Sequence, residues 1–131
     1  MFSPRFLKAV VMPGRLFVLI VTSDSRLERQ ALCAVRAAGC LPVLGHDDED
    51  CPESLRRIRP DVVLLDSMHP CASSARFYEE AAEMGARVIA LAPDARDDHA
   101  RDVARRQNAQ SVSLPTEYDL FSETLRQAEL A

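Results

Sequence analysis

Residues 16–21 read Leu-Phe-Val-Leu-Ile-Val, and the chain then changes abruptly to Thr22, Ser23, Asp24 and Ser25. A short apolar run rich in branched side chains suits a strand covered on both faces, as in a parallel sheet, and the polar quartet offers helix caps. Leu27, Ala31, Val35 and Ala38 follow at helical spacing and Gly39 supplies a stop, which predicts a helix over 26–38. Strand, cap, helix and glycine thus come in sequence.

The same unit recurs. A second strand is predicted over 40–44, followed by the acidic loop 47–50, read as a solvated connection. A helix then opens at Pro52, carries Leu55 and Ile58 on one face and ends before Pro60. The third strand, 61–65, is again an apolar core and runs into Asp66. A helix over 73–84 closes at Gly85, and 87–91 forms a fourth strand. The helix predicted over 97–107 is mostly charged, with only Ala100, Val103 and Ala104 to face inward. A brief fifth strand at 111–114 precedes Pro115, Thr116 and Asp119 have the spacing of a capping box, and the last helix is expected to bury Leu120, Phe121, Leu125 and Ala128. Five alternations joined by short connections predict a parallel sheet with helices on both faces, a doubly wound α/β sandwich.

Residues 1–14 stand outside this pattern and are read as an N-terminal extension to a domain spanning 15–131, with Met12 as an alternative start. At 131 residues the chain accommodates one ordinary domain. The formal charge of -4 offers no concentrated basic surface, so nucleic acid is not an expected partner of this segment. An apolar run of six residues falls far short of the roughly 20 that span a bilayer, and the chain is read as cytoplasmic. Cys33, Cys40, Cys51 and Cys71 include no Cys-x-x-Cys pair, so neither a zinc site nor a redox pair is expected, only small buried or half-buried thiols. His46, His69 and His99 are scattered without the spacing of a triad, and no enzymatic activity is expected.

One segment narrows the fold further. Pro60-Asp61-Val62-Val63-Leu64-Leu65-Asp66-Ser67-Met68-His69-Pro70, set within the five alternations, resembles the third strand, phosphoacceptor aspartate and following proline of receiver domains of bacterial two-component response regulators. The resemblance spans residues 15–130. It implies a flavodoxin-like five-stranded parallel sheet of order 2-1-3-4-5 and places the phosphoacceptor at Asp66. It also implies magnesium held by that aspartate with an acidic pair after the first strand, a hydroxyl residue at the end of the fourth strand, and a lysine before the proline that follows the fifth.

At those positions this chain departs from the family. The acidic pair is replaced by Thr22 and Ser23, with Asp24 the nearby acid, read as a helix cap before a metal ligand. The hydroxyl position is Ala92, the lysine position Leu114, and an aromatic switch position aligns to Ser111. Of the 16 basic residues only Lys8 is a lysine, ahead of the first strand, so no shift of alignment recovers the missing ammonium. Stabilising a transferring phosphoryl group is almost wholly a matter of placed charge.

The resemblance therefore implies a degenerate receiver, or pseudo-receiver. Such a chain acts as a signalling and protein-interaction module without regulated aspartyl phosphorylation. No cofactor is expected, and magnesium only weakly at Asp66 and Asp24. The expected partner surface, for a protein or a second copy, carries Arg101, Arg105, Arg106, Glu117 and Asp119. Two other readings stay open: a phosphorylatable receiver of a phosphorelay, and a small-molecule-binding domain using the crevice at the strands' carboxyl ends, lined by Thr22, Ser23, Asp66 and Ala92.

Overall fold

The computed structural model describes residues 16–45, 51–92, 98–107, 109–114 and 117–130. The extension 1–14, the loop 47–50 and Thr116 of the expected capping box lie outside them. Five strands, β1 (Phe17–Val21), β2 (Leu41–Leu44), β3 (Val62–Asp66), β4 (Arg87–Ala92) and β5 (Gln110–Ser113), form one parallel sheet of order β2-β1-β3-β4-β5. This is the doubly wound order implied by the family resemblance. The central strand β3 is buried at every position, as its continuous apolar run requires.

Helices α1 (Ser25–Ala37), α2 (Cys51–Ile58), α3 (Ala75–Glu83), α4 (Asp98–Arg106) and α5 (Tyr118–Leu130) alternate with the strands. Alternate residues of each strand face opposite sides, so the core divides in two. Val18, Ile20, Leu64, Leu91 and Val112 meet Leu27, Ala31 and Val35 of α1 and Phe121 and Leu125 of α5. On the other face Leu19, Val21, Val63 and Leu65 meet Leu55 of α2, Phe77 and Ala81 of α3, and Val103 of α4. The thin stripe on α4 suffices: Ala100, Val103 and Ala104 are all buried.

Local chemistry sets the ends of α1 and α3. Asp24 caps α1, its Oδ1 accepting from the amides of Arg26 at 2.9 Å and Leu27 at 3.3 Å. Gly39 and Gly85, at φ of 80° and 75°, follow the last turns of α1 and α3 in the left-handed region that side chains disfavour.

Two expectations are corrected. Residue 73 does not begin a helix: Pro70–Ser73 form a 3-10 turn, and α3 starts at Ala75 with Ser74 as its cap, Oγ accepting from the Phe77 amide. Leu120 is 43% exposed instead of facing inward, because a helix that buries Phe121, Thr124 and Leu125 turns position 120 outward.

Candidate functional site

The register of the sheet assembles the site. Val21 pairs with Leu65, so the next residues, Thr22 and Asp66, meet at the carboxyl edge of β1 and β3. Thr22 Oγ1 donates to Asp66 Oδ2 at 2.7 Å, and the Met68 amide donates to Asp66 Oδ1 at 2.9 Å. Both side chains are buried. The Asp24 amide donates in turn to Thr22 Oγ1 at 3.0 Å. The hydroxyl thus has its proton committed to a carboxylate and its oxygen to an amide, and each carboxylate oxygen has a donor. A buried carboxylate needs such donors, since charge-assisted hydrogen bonds offset the cost of leaving water.

The other sequence-identified positions lie on or just beyond β1, β4 and β5. Ser23 is exposed. Ala92 is buried and pairs across the sheet with Ser113, and the half-buried Ser111 pairs with Ala90. Leu114 is buried in the core between α1 and α5, so the position that resembles the family's lysine belongs here to hydrophobic packing. Asp24 spends its carboxylate oxygen on the α1 amides.

Among the described residues, this donor set is a poor match for a magnesium ion. A hard dication selects several oxygen ligands with carboxylate charge among them. Asp66 is the carboxylate at the end of β3, and the Thr22 hydroxyl already donates to its Oδ2. Among the described residues no three His, Cys, Asp or Glu side chains converge.

Several features were beyond residue-type reasoning. The Met68 amide carries no signal in its side chain. The Glu117 carboxylate accepts from the Ser113 amide at 2.9 Å while its own amide donates to the Ser113 carbonyl at 2.7 Å, closing the junction between β5 and α5. That contact draws Glu117 into the fold, whereas Arg101, Arg105, Arg106 and Asp119 are exposed, with Arg105 3.4 Å from Asp102. Ser67 and Ser113 are buried with hydroxyls that have no hydrogen-bond partner. The cysteine expectation is corrected: Cys71 is disulfide-bonded, while Cys33 and Cys40 are free. Sequence spacing concealed this because sequence-distant cysteines meet only through the fold.

Cavities bordered by described residues lie away from Asp66. One, of about 500 Å³, lies below the amino ends of β4 and β5 beside Arg87 and Gln110. Another, of about 520 Å³, is an apolar groove between α1 and α5 beside Cys33 and Tyr118. No helix of the described residues is long and apolar enough to cross a membrane.

No family model matches the sequence, and no curated protein matches it. Solved structures do. A response regulator receiver protein from Burkholderia phymatum is 21% identical, with a TM-score of 0.66 over 88% of this chain and 95% of that one. The receiver domain of a sensor histidine kinase from Pseudomonas aeruginosa PAO1, solved with magnesium coordinated in its active-site cleft, is 18% identical, with a TM-score of 0.69 over 89% and 99%. The signal receiver domain of a DNA-binding response regulator from Colwellia psychrerythraea 34H is 20% identical, with a TM-score of 0.71 over 88% and 99%. With the strand order, the helices on both faces and Asp66 at the end of the central strand, this chain has the flavodoxin-like fold of response-regulator receiver domains.

Proposed function

We propose that this chain is a pseudo-receiver: a cytoplasmic signalling module that works by protein interaction, with Asp66 serving as a structural anchor and not as a phosphoacceptor. The supporting observation is the hydrogen-bond pair on Asp66, in which Thr22 Oγ1 and the Met68 amide occupy the two carboxylate oxygens. In receivers an acidic pair would stand where Thr22 and Ser23 do, and would draw a metal to the aspartate. Here a hydroxyl proton satisfies the aspartate directly and ties β1 to the segment after β3.

The chemistry that would follow phosphorylation is also without its parts. Ala92 has no hydroxyl to donate to a phosphoryl oxygen, and Leu114 brings a buried hydrocarbon where positive charge is wanted. Output would therefore pass through surfaces held in one arrangement, with the exposed charges of α4 and α5, Arg101, Arg105, Arg106 and Asp119, as the proposed meeting face for a protein partner or a second copy.

Magnesium titration followed by amide NMR tests this reading. The amides of Met68 and Asp24 report on the two ends of the hydrogen-bonded chain, and the expected result is no saturable shift at either in the millimolar range. A saturable shift at both amides, absent in Asp66→Asn, would instead support the phosphorylatable reading.

A further inference from the structure

Cys71 lies in the 3-10 turn Pro70–Ser73, five residues beyond Asp66, and is disulfide-bonded. An unbroken series of hydrogen bonds links it to the site. The Cys71 amide donates to His69 Nδ1 at 3.1 Å, the His69 amide donates to the Asp66 carbonyl at 2.9 Å, and the Met68 amide between them donates to the Asp66 carboxylate. Downstream, the Ser74 amide donates to the Cys71 carbonyl at 3.1 Å, and the buried Tyr78 hydroxyl donates to the Ala72 carbonyl at 2.9 Å. Cys71 also packs against the buried cluster of α2 and α3. The disulfide thus bears on the one segment that both positions Asp66 and leads into α3.

We propose that Cys71 is a site of reversible thiol–disulfide modification, and that its oxidation state sets the geometry of residues 67–74 beside Asp66. This rests on the pseudo-receiver reading and deepens it: where phosphoryl transfer lacks its charges, a two-electron thiol couple acts on the same segment. In a reducing compartment a persistent structural disulfide is uncommon, and those that form are characteristically transient or redox-sensing. Among the described cysteines Cys33 and Cys40 are free, and peptide mapping identifies the cysteine that completes the couple.

The chemistry balances with a dithiol as reductant. One thiolate of the dithiol attacks a sulfur of the protein disulfide, forming a mixed disulfide and releasing one protein thiolate. The second thiol of the reductant then displaces the other protein sulfur. Two electrons and two protons pass to the protein, which gains two thiols, and the reductant leaves as a disulfide. A small-molecule disulfide such as oxidised glutathione reverses the exchange, taking the two electrons back.

The full chain is equilibrated across mixtures of reduced and oxidised dithiothreitol. Aliquots are acid-quenched and alkylated after denaturation for peptide mass mapping, with native-state hydrogen exchange run in parallel. The expected result is that Cys71 becomes alkylated only in reduced samples. Amide exchange across residues 68–78 then rises at least tenfold while the fold is retained, and oxidised glutathione reverses both changes. Cys71→Ser should show the reduced-state exchange at every ratio, and Cys33→Ser should respond as the wild type does. If Cys71→Ser does not fold, the reduced wild-type protein gives the same comparison. Alkylation of Cys71 in fully oxidised protein, equal exchange at 68–78 in both forms, or reduction only on global unfolding would each overturn the proposal. None of these readouts involves magnesium or phosphorylation, so they fail independently of the pseudo-receiver reading.

Discussion

Replacing Thr22 by valine keeps the branched shape and removes the hydroxyl that serves Asp66. Asp66 Oδ2 then remains buried without its 2.7 Å donor, and the Asp24 amide loses its acceptor at 3.0 Å. A hydrogen bond to a charged group contributes about 1.5–3 kcal/mol, and stranding the buried partner places the loss toward the upper part of that range. For a domain of this size each kcal/mol corresponds to roughly 3–5 °C, so Thr22→Val is expected to lower the melting temperature by about 6–15 °C. Asp66→Asn should cost less. Its carbonyl still accepts from Met68, and its amide turns toward a Thr22 oxygen that retains a lone pair. Urea unfolding of wild type, both single variants and the double variant closes a thermodynamic cycle, with an expected coupling of about 1–2 kcal/mol between the two positions. A Thr22→Val loss under about 0.5 kcal/mol, or additive effects in the double variant, would show that the pair is not the anchor described.

Three further outcomes follow from other contacts. Ser113→Ala removes a buried hydroxyl that has no partner and is expected to leave stability unchanged or raise it by up to about 1 kcal/mol in urea unfolding; a loss above that would mean the hydroxyl is satisfied. Glu117→Ala strips the Ser113 amide of its acceptor and should cost about 1 kcal/mol, with faster amide exchange at residue 113. Burial raises the Tyr78 phenol above its ordinary value of 10.0. The unfolded chain therefore ionises first while the folded chain keeps its proton, so stability is full below pH 10 and falls as pH rises through the folded value. Tyr78→Phe should flatten that alkaline decline in unfolding measured from pH 9 to 11, and an unchanged slope would refute the assignment.

The fold was legible because its signals are local and repeated. The cores of β1, β3 and β4 are short apolar runs, Asp24 and Gly39 bracket α1 as capping chemistry dictates, and Asp66 ends the central strand. Errors arose where tertiary context overrode periodicity. Leu120 fits an apolar stripe one residue too wide for the face that meets the sheet, and Pro70 set a 3-10 turn that the pattern alone ran into the helix. The residue types at the positions that resemble the receiver site, Thr22, Ala92 and Leu114, are visible in the sequence. What those residues do is not. That Thr22 would turn its proton to Asp66 depends on the register of β1 with β3, and that the Met68 amide would join it depends on the turn after β3. The Cys71 disulfide depends on two segments meeting, which no spacing encodes.

On the pseudo-receiver reading, Asp66 anchors the fold and does not accept a phosphoryl group. Incubation with acetyl phosphate and magnesium, followed by intact-mass measurement within minutes, tests it most directly. The expected result is no added phosphoryl mass on the wild-type chain and none on Leu114→Lys, since one ammonium does not supply the missing carboxylates. Stoichiometric labelling of the wild type that disappears in Asp66→Asn would contradict the claim.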